Sequence, residues 1–267
     1  MTPVAICTDS SSLLSASAAA SLGVEMLPVA VTLDGEPFDE RTSSLDWFYE
    51  RLRAGATATT SQPSPADLAD AYGRAAARGA QAVVSIHLDS RISGTVSSAE
   101  LAALSAALPV QVVDTRTVSF GVGLCVRAAA LAVATGGAPG DAARAASRLG
   151  GVLRNAFVTR GGPGGRVPAT SSWTLLSYAN GAASRISQPS SLSEGVEEIA
   201  SHVVPGDTPI SAAVGHASRE LEAAADELAH RLLAAEGVLT VERYRVGASV
   251  GAHTGPDSFG AFWWPTP

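Results

Sequence analysis

The chain has 267 residues, a length that suits one large or two small folded domains. Its residues are 46% hydrophobic, 5% aromatic and 16% charged, a composition that excludes a disordered chain. It carries 18 basic and 25 acidic residues, a formal net charge of −7, which disfavours binding to DNA or to an anionic lipid surface. All 18 basic residues are arginine. The absence of lysine excludes Walker-type phosphate loops, pyridoxal-phosphate and Schiff-base enzymes, and protein kinases.

Short β-type runs alternate with longer helical patterns in the first half of the chain. Strands are predicted at Val4–Cys7, Val24–Leu33, Ala82–Leu88 and Val110–Val113. Helices are predicted at Ser10–Leu22, Leu45–Arg53, Pro65–Arg78, Ser93–Ala107, Phe120–Ala134 and Asp141–Leu149. This alternation is typical of an α/β fold in which a parallel sheet is flanked by helices.

A Gly- and Pro-rich segment after Arg160 separates this half from the rest and indicates a domain junction. We therefore expect an N-terminal α/β domain over residues 1–153 and a smaller C-terminal α/β domain over residues 154–267. The second domain is predicted to contain helices at Ser193–Val203 and Ser218–Ala235, and strands at Ile210–Val214 and Val238–Val246.

The N-terminus has neither the basic start nor the apolar core of a secretory signal. The longest apolar run, Ala128–Ala134, is far shorter than the roughly 20 residues that span a bilayer. We therefore expect a cytoplasmic protein without stable membrane insertion. Cys7 and Cys125 lie in apolar runs without a CxxC spacing, so they are expected to be buried free thiols.

Hydroxyl-rich turns follow the predicted strands. Thr8–Ser12 follows the first strand, Asp89–Thr95 follows Ala82–Leu88, and Asp114–Ser119 follows Val110–Val113. Ligands of open parallel sheets bind beyond the carboxyl ends of the strands, so these turns are candidate ligand contacts. Ordinary helix capping is the competing interpretation, and it is the preferred one for Ser64, which begins a capping-box pattern.

The segment Ser93-Gly94-Thr95 differs from an ordinary cap because a glycine there would let a ligand approach the helix N-terminus closely. We therefore favour a ligand contact for Ser93.

The five histidines show no metal-ligand spacing, so neither a metal nor another cofactor is expected. His202 and His230 are interpreted as solvated, His216 as part of a structural turn, and His87 as a satisfied core imidazole. His253 lies in a Gly-rich turn without an obvious packing role.

Several motifs, in order along nearly the whole chain, resemble those of the DegV family of bacterial fatty-acid-binding proteins. They are TDSSS near the start, TSQPSP at Thr60–Pro65, SIHLDSRISGT at Ser85–Thr95, VVDTRTVSFGVG at Val112–Gly123, GGR at Gly164–Arg166 and GAHTGP at Gly251–Pro256. Each motif alone is weakly specific, but their combination is highly specific.

The resemblance implies a two-domain protein that holds one long-chain fatty acid in a cleft between its domains. It implies that Thr60 and Ser93 meet the carboxylate, while Arg166 and His253 line the same head-group site. Ser61, Gly94, Thr95 and Thr254 complete the expected ligand-binding set. The resemblance also implies that the protein is not itself a catalyst: it presents the acid to a separate fatty acid kinase and then holds the acyl phosphate.

The sequence also departs from the family pattern and leaves alternatives open. Val167–Ser190 is shorter than the family's segment and lacks its apolar run, and Arg160 competes with Arg166 for the head-group role. A binding protein for a different apolar anion is one alternative. An acyl-phosphate or ester hydrolase that uses Ser93 or His253 is the other, and it requires a base within hydrogen-bond reach of a serine.

Overall fold

The computed structural model describes residues 3–160 and 172–266. The strands are β1 (Val4–Asp9), β2 (Val24–Leu27), β3 (Ala30–Leu33), β4 (Glu36–Phe38), β5 (Ala58–Ser61), β6 (Ala82–His87), β7 (Val110–Asp114), β8 (Arg154–Arg160), β9 (Trp173–Ala179), β10 (Ala182–Ser187), β11 (Ile210–His216), β12 (Val238–Arg245) and β13 (Ser258–Pro265). The α-helices are α1 (Ala16–Ser21), α2 (Leu45–Arg53), α3 (Pro65–Ala77), α4 (Thr95–Ala103), α5 (Phe120–Ala134), α6 (Pro139–Val152), α7 (Leu192–His202), α8 (Glu222–Leu233) and α9 (Ala248–Thr254).

The chain divides into two compact units. Unit 1 comprises the residues up to Ala30 and Ser61–Gly151, whereas unit 2 comprises Val31–Thr60 and the residues from Val152 onward. The junction at Gly151 lies close to the boundary expected from sequence. However, Val31–Thr60, which we assigned to the N-terminal domain, belongs to unit 2 by its contacts. We call Val31–Thr60 the inserted segment.

Unit 1 contains a four-stranded parallel sheet in the order β2-β1-β6-β7. Alternate side chains of its strands point to opposite faces. Cys7 and Val83 pack with Leu68 and Tyr72 of α3 in one buried cluster, while α5 contacts β1 and β6. The expected parallel sheet flanked by helices is therefore confirmed.

Two elements that we predicted as continuous in the first part of the chain are each interrupted in the structure. The helix expected at Ser10–Leu22 is a 3-10 turn at Ser10–Ser12, where the Asp9 carboxylate accepts the Ser11 N–H, followed by the short α1. The strand expected at Val24–Leu33 is interrupted after β2 because Pro28 cannot donate a backbone hydrogen bond. The chain then enters β3, which lies in a separate sheet of order β4-β3-β5.

Unit 2 contains a six-stranded sheet in the order β10-β9-β8-β13-β11-β12. Only β11 and β12 pair in parallel, and the other neighbours are antiparallel. Its sheet has six strands, against four in the parallel sheet of unit 1. Its core is formed by side chains such as Val158, Leu175 and Phe259 packed against α7 and α8, with Ile199 and Leu228 among the buried residues.

The two cysteines are free and buried, as expected, and burial raises the pKa of each thiol to about 12. They are therefore unreactive at neutral pH. Across residues 3–160 and 172–266, the structure contains no helix with both the length and the apolar character needed to cross a bilayer.

Candidate functional site

Three hydroxyl-rich loops of unit 1 begin at the carboxyl ends of neighbouring strands. They follow β1, β6 and β7, and because these strands are parallel the loops start at the same edge of the sheet. This is the edge at which open α/β sheets bind ligands.

The loop after β6 carries Ser93 to the start of α4. The helix begins at Thr95, two residues later than predicted, and its N-cap is Gly94, which has no side chain to offer. Ser93 Oγ lies 2.9 Å from Thr95 Oγ1 and accepts a bond from the Thr95 N–H at 3.3 Å. Ser93 is half-buried and Thr95 is buried. The two hydroxyls therefore form a small polar cluster at the first turn of α4.

A side chain of the protein itself lies close to the Gly94 backbone. A Cβ at this position would lie 2.6 Å from Gln62 Nε2, so the close approach is made by the Gln62 amide. Gln62 Nε2 also donates to Ser98 Oγ at 3.1 Å. The glutamine of the TSQP motif is thus bound to the first turns of α4, a contact that no local sequence pattern predicts.

Unit 2 contains the second polar cluster, formed by Thr60 and His253. Thr60 Oγ1 lies 2.8 Å from His253 Nε2, although the two residues are 193 positions apart in the sequence. Thr60 is near the end of β5, and His253 is in the last turn of α9. The first residue of the TSQP motif and the first residue of the HTGP motif therefore meet within unit 2.

Desolvation lowers the pKa of the His253 imidazole from its ordinary value, so the neutral form predominates at pH 7. A neutral imidazole has one N–H and one acceptor nitrogen. If Nε2 carries the proton, it donates to Thr60 Oγ1 and leaves the Thr60 hydroxyl proton free to donate elsewhere. The pair can therefore offer a directed hydroxyl donor to an anion.

A chain of hydrogen bonds is buried beneath the edge of the unit 1 sheet. His87 Nδ1 lies 2.6 Å from Asp9 Oδ2, and His87 Nε2 lies 2.8 Å from Ser85 Oγ, which also accepts the Tyr72 hydroxyl at 2.8 Å. The other Asp9 oxygen accepts the backbone N–H and the hydroxyl of Ser11. Asp9, Ser85 and His87 are all fully buried.

This chain confirms that His87 is a satisfied core imidazole. It resembles a Ser-His-Asp triad in its order of contacts, but Ser85 is inaccessible to a substrate. Both ring nitrogens of His87 are in use, so His87 is not available as a base for Ser93. The hydrolase alternative thus lacks the histidine that lies nearest to Ser93 in sequence.

Comparison with known proteins decides the family. The profile described as uncharacterised protein, DegV family, matches residues 3–158. A DegV domain-containing protein of Streptomyces coelicolor is 34% identical over an alignment of 275 positions, which includes 96% of each chain. The chain belongs to the DegV family.

Solved DegV structures share the whole fold. A Thermus thermophilus protein, described as a fatty-acid-binding DegV family protein, is 29% identical with a TM-score of 0.88 and covers 99% of this chain and 100% of its own. Bacillus subtilis DegV, described as a fatty acid binding protein, has a TM-score of 0.82 over 100% of both chains. Its 24% identity supports the fold alone.

Three other residues of the expected ligand-binding set are Thr254, Arg166 and Ser61. The Thr254 hydroxyl is used inside its own turn, where it accepts from Ser258 Oγ at 3.0 Å. Arg166, in the GGR motif, lies outside the described residues. Ser61 is exposed at the end of β5.

Arg160, which we expected to compete with Arg166 for the head-group role, ends β8. Its guanidinium carbon lies 5.1 Å from the Trp173 ring centroid, and its Nε lies 3.6 Å from Asp257 Oδ2. Asp257 binds Arg53 more closely, at 2.7 Å. Among the described residues, Arg160 is therefore held by stacking on Trp173 and by one long ion pair with Asp257.

His216 was expected in a structural turn, but it is the last residue of β11 and accepts a bond from Arg243 Nη2 at 3.0 Å. Desolvation lowers its pKa, so it is neutral. No group of three or more metal-ligating side chains occurs among the residues for which the structure is described.

Proposed function

We propose that this protein binds a long-chain fatty acid and that the Thr60–His253 pair holds its carboxylate. The observation that carries the proposal is the 2.8 Å contact between Thr60 Oγ1 and His253 Nε2. A hydroxyl positioned by a neutral imidazole suits a carboxylate, which accepts hydrogen bonds and needs donors. The Thermus thermophilus relative, described as fatty-acid-binding, supports the choice of ligand.

The acyl chain would supply most of the affinity. Burying about 15 methylenes at ~0.8 kcal/mol each gives a gross ~12 kcal/mol before entropy losses. A hydrogen bond to a charged group adds about 1.5–3 kcal/mol, partly offset by desolvation of the carboxylate. The head-group residues therefore orient the acid more than they retain it.

We propose further that the protein is not a catalyst and that it presents the acid to a separate fatty acid kinase, afterwards holding the acyl phosphate. Neutral hydroxyl donors serve a carboxylate and an acyl phosphate alike. The additional charge of the phosphate requires an arginine, and Arg166 and Arg160 are the two candidates.

Substitution of Thr60 by valine tests the carboxylate site. Valine keeps the shape but removes the hydroxyl, so oleate binding should weaken about tenfold or more, the loss of one hydrogen bond to a charged group. Titration calorimetry with oleate measures it. Thr59→Val is the matched control, because Thr59 Oγ1 pairs with Thr32 Oγ1 at 2.7 Å instead of with His253.

Ser93→Ala should weaken oleate binding in the same direction. Equal affinity in Thr60→Val, Thr59→Val and the unaltered protein would contradict the carboxylate assignment. Native mass spectrometry of freshly purified protein, with its organic extract, identifies the ligand directly. Recovery of a different apolar anion, or failure to take up added oleate, would replace the fatty-acid proposal.

Arginine substitutions test the phosphoryl step. With a fatty acid kinase, ATP and oleate supplied, Arg166→Ala should reduce acyl phosphate formation strongly while oleate affinity changes little. Arg160→Ala is measured in parallel, and Arg154→Ala, at the exposed start of β8, is the control. Undiminished phosphoryl transfer in Arg166→Ala would remove that residue from the head-group role.

A further inference from the structure

Helix α9, which carries His253, begins without a side-chain cap of its own. Its N-cap residue is Gly247, and no side chain of the cap position bonds to the first turn. The first N–H groups of a helix have no partner within the helix and need an acceptor from elsewhere. Here Glu40 Oε2 accepts the Ala248 N–H at 2.7 Å, and the same carboxylate accepts the Ser249 N–H.

Gly247 provides the space for this carboxylate. Its φ of −78° is accessible to any residue, so its conformation does not require glycine. A Cβ at Gly247 would instead lie 2.6 Å from Glu40 Oε1. The local cap is therefore replaced by an acidic side chain 208 positions away from Ala248.

The turn that presents Glu40 is itself fixed. The Asp39 carboxylate accepts the Arg41 N–H at 3.0 Å and pairs with the Arg41 guanidinium at 2.9 Å. The Ser43 N–H donates to the Asp39 carbonyl oxygen at 2.9 Å. Glu40 therefore projects from a braced turn of the inserted segment.

A second residue of the inserted segment supports the same helix. The Tyr49 hydroxyl donates to the Val246 carbonyl oxygen at 2.7 Å, just before α9. A Cβ at Gly251 would lie 2.8 Å from Tyr49 Cε1, so the ring packs directly against the helix backbone. With the Thr60–His253 contact, the inserted segment holds α9 at its beginning, its middle and its end.

We propose that Glu40 is a positioning residue of the head-group pair: by capping α9 it holds His253 at hydrogen-bond distance from Thr60. The proposal rests on the proposed function for its ligand, but the positioning itself is a property of the unliganded protein. A carboxylate at a helix N-terminus is also favoured by the helix dipole.

The pKa of His253 distinguishes positioning by Glu40 from a direct electrostatic effect of its charge, because the two predict shifts of opposite sign. Desolvation raises the pKa of Glu40, the charge of Asp39 raises it further, and the Tyr49 hydroxyl of α2 also interacts with Glu40. Desolvation is the cause that lowers the pKa of His253. Loss of the Glu40 charge by direct interaction would lower the pKa of His253 further, whereas loosening of α9 would hydrate His253 and raise it.

Two different substitutions remove the cap. Glu40→Gln keeps the shape and removes the charge, and Gly247→Ala displaces the carboxylate with a new methyl group. We expect each to weaken oleate binding about fivefold, the effect of losing one helix cap. NMR titration should show the pKa of His253 rising toward its ordinary value in both variants, with the signal assigned from the His253→Ala spectrum.

Glu36→Gln, a neutralised exposed glutamate of the same inserted segment, is the matched control and should change neither quantity. The double variant of Glu40 and Gly247 should be no worse than either single variant, since both remove one interaction. A His253 pKa that stays unchanged or falls in Glu40→Gln would overturn the proposal. If the unaltered protein fails to bind oleate, the proposed function fails, and the His253 titration still decides whether Glu40 positions it.

Discussion

Substitution of Asp9 by alanine is expected to lower the free energy of unfolding by about 3–5 kcal/mol, the range for removing one partner of a buried ionic or hydrogen-bonded pair. The carboxylate accepts from His87 Nδ1 and from the backbone and hydroxyl of Ser11. Without it, these donors stay buried and unpaired, because His87 is fully buried and Ser11 is 5% exposed. Urea-induced unfolding followed by circular dichroism measures the loss.

Asp70→Ala is the control for this change. Asp70 is an exposed residue of α3, so the same substitution there should alter stability by less than about 0.5 kcal/mol. A loss in Asp9→Ala no larger than in Asp70→Ala would mean that the buried chain of Asp9, His87 and Ser85 contributes no net stability.

The second large effect is expected from Gly260→Ala, at about 3 kcal/mol of destabilisation. Gly260 lies in β13, between β8 and β11. A Cβ there would lie 2.5 Å from Phe157 Cβ and would also clash with the Ala156 carbonyl oxygen. The obstacle is partly backbone, so the strand pair must separate to accommodate the methyl group.

Gly73→Ala makes the same chemical change with the opposite expected sign. Gly73 lies in the interior of α3, and nothing lies within 4 Å of a Cβ built there. Alanine should therefore stabilise the protein by about 0.5–1 kcal/mol through its higher helix propensity. Thermal unfolding measures the stability of both variants. A Gly260→Ala protein as stable as the unaltered one would contradict the expected clash.

The sequence predicted those elements whose signals are local. The predicted bounds of α2 agree with the structure because Ser44 caps its first turn. Those of α3 agree within one residue because Ser64 and Asp67 form the expected capping box behind Pro65. The parallel strands β6 and β7 were likewise predicted from compact apolar runs.

Two kinds of feature were missed: one hairpin with a short-range signal, and contacts between residues far apart in the chain. The hairpin of β9 and β10 turns at Asn180 and Gly181, both with positive φ, a short-range signal that our reading of the Val167–Ser190 segment overlooked. By contrast, no periodicity in the inserted segment reveals that Glu40 caps a helix near the other end of the chain. The Asp9–His87 pair is 78 positions apart and equally invisible to local patterns.

The candidate site was predicted in part. The motifs named Thr60 and His253, and the structure shows that these two residues are in contact. The sequence offered no reason for Gln62 to lie against Gly94, because the two residues belong to different loops of unit 1 and no local pattern relates them.

The inserted segment sets an order of events during synthesis on the ribosome. Thr60 emerges 193 residues before His253, and Glu40 emerges 208 residues before Ala248. Unit 1 has all its strands once Gly151 has been translated, whereas Val31–Thr60 must wait for the last part of the nascent chain. The pair proposed to hold the ligand therefore forms only on a nearly finished polypeptide, and prematurely terminated chains would lack it altogether.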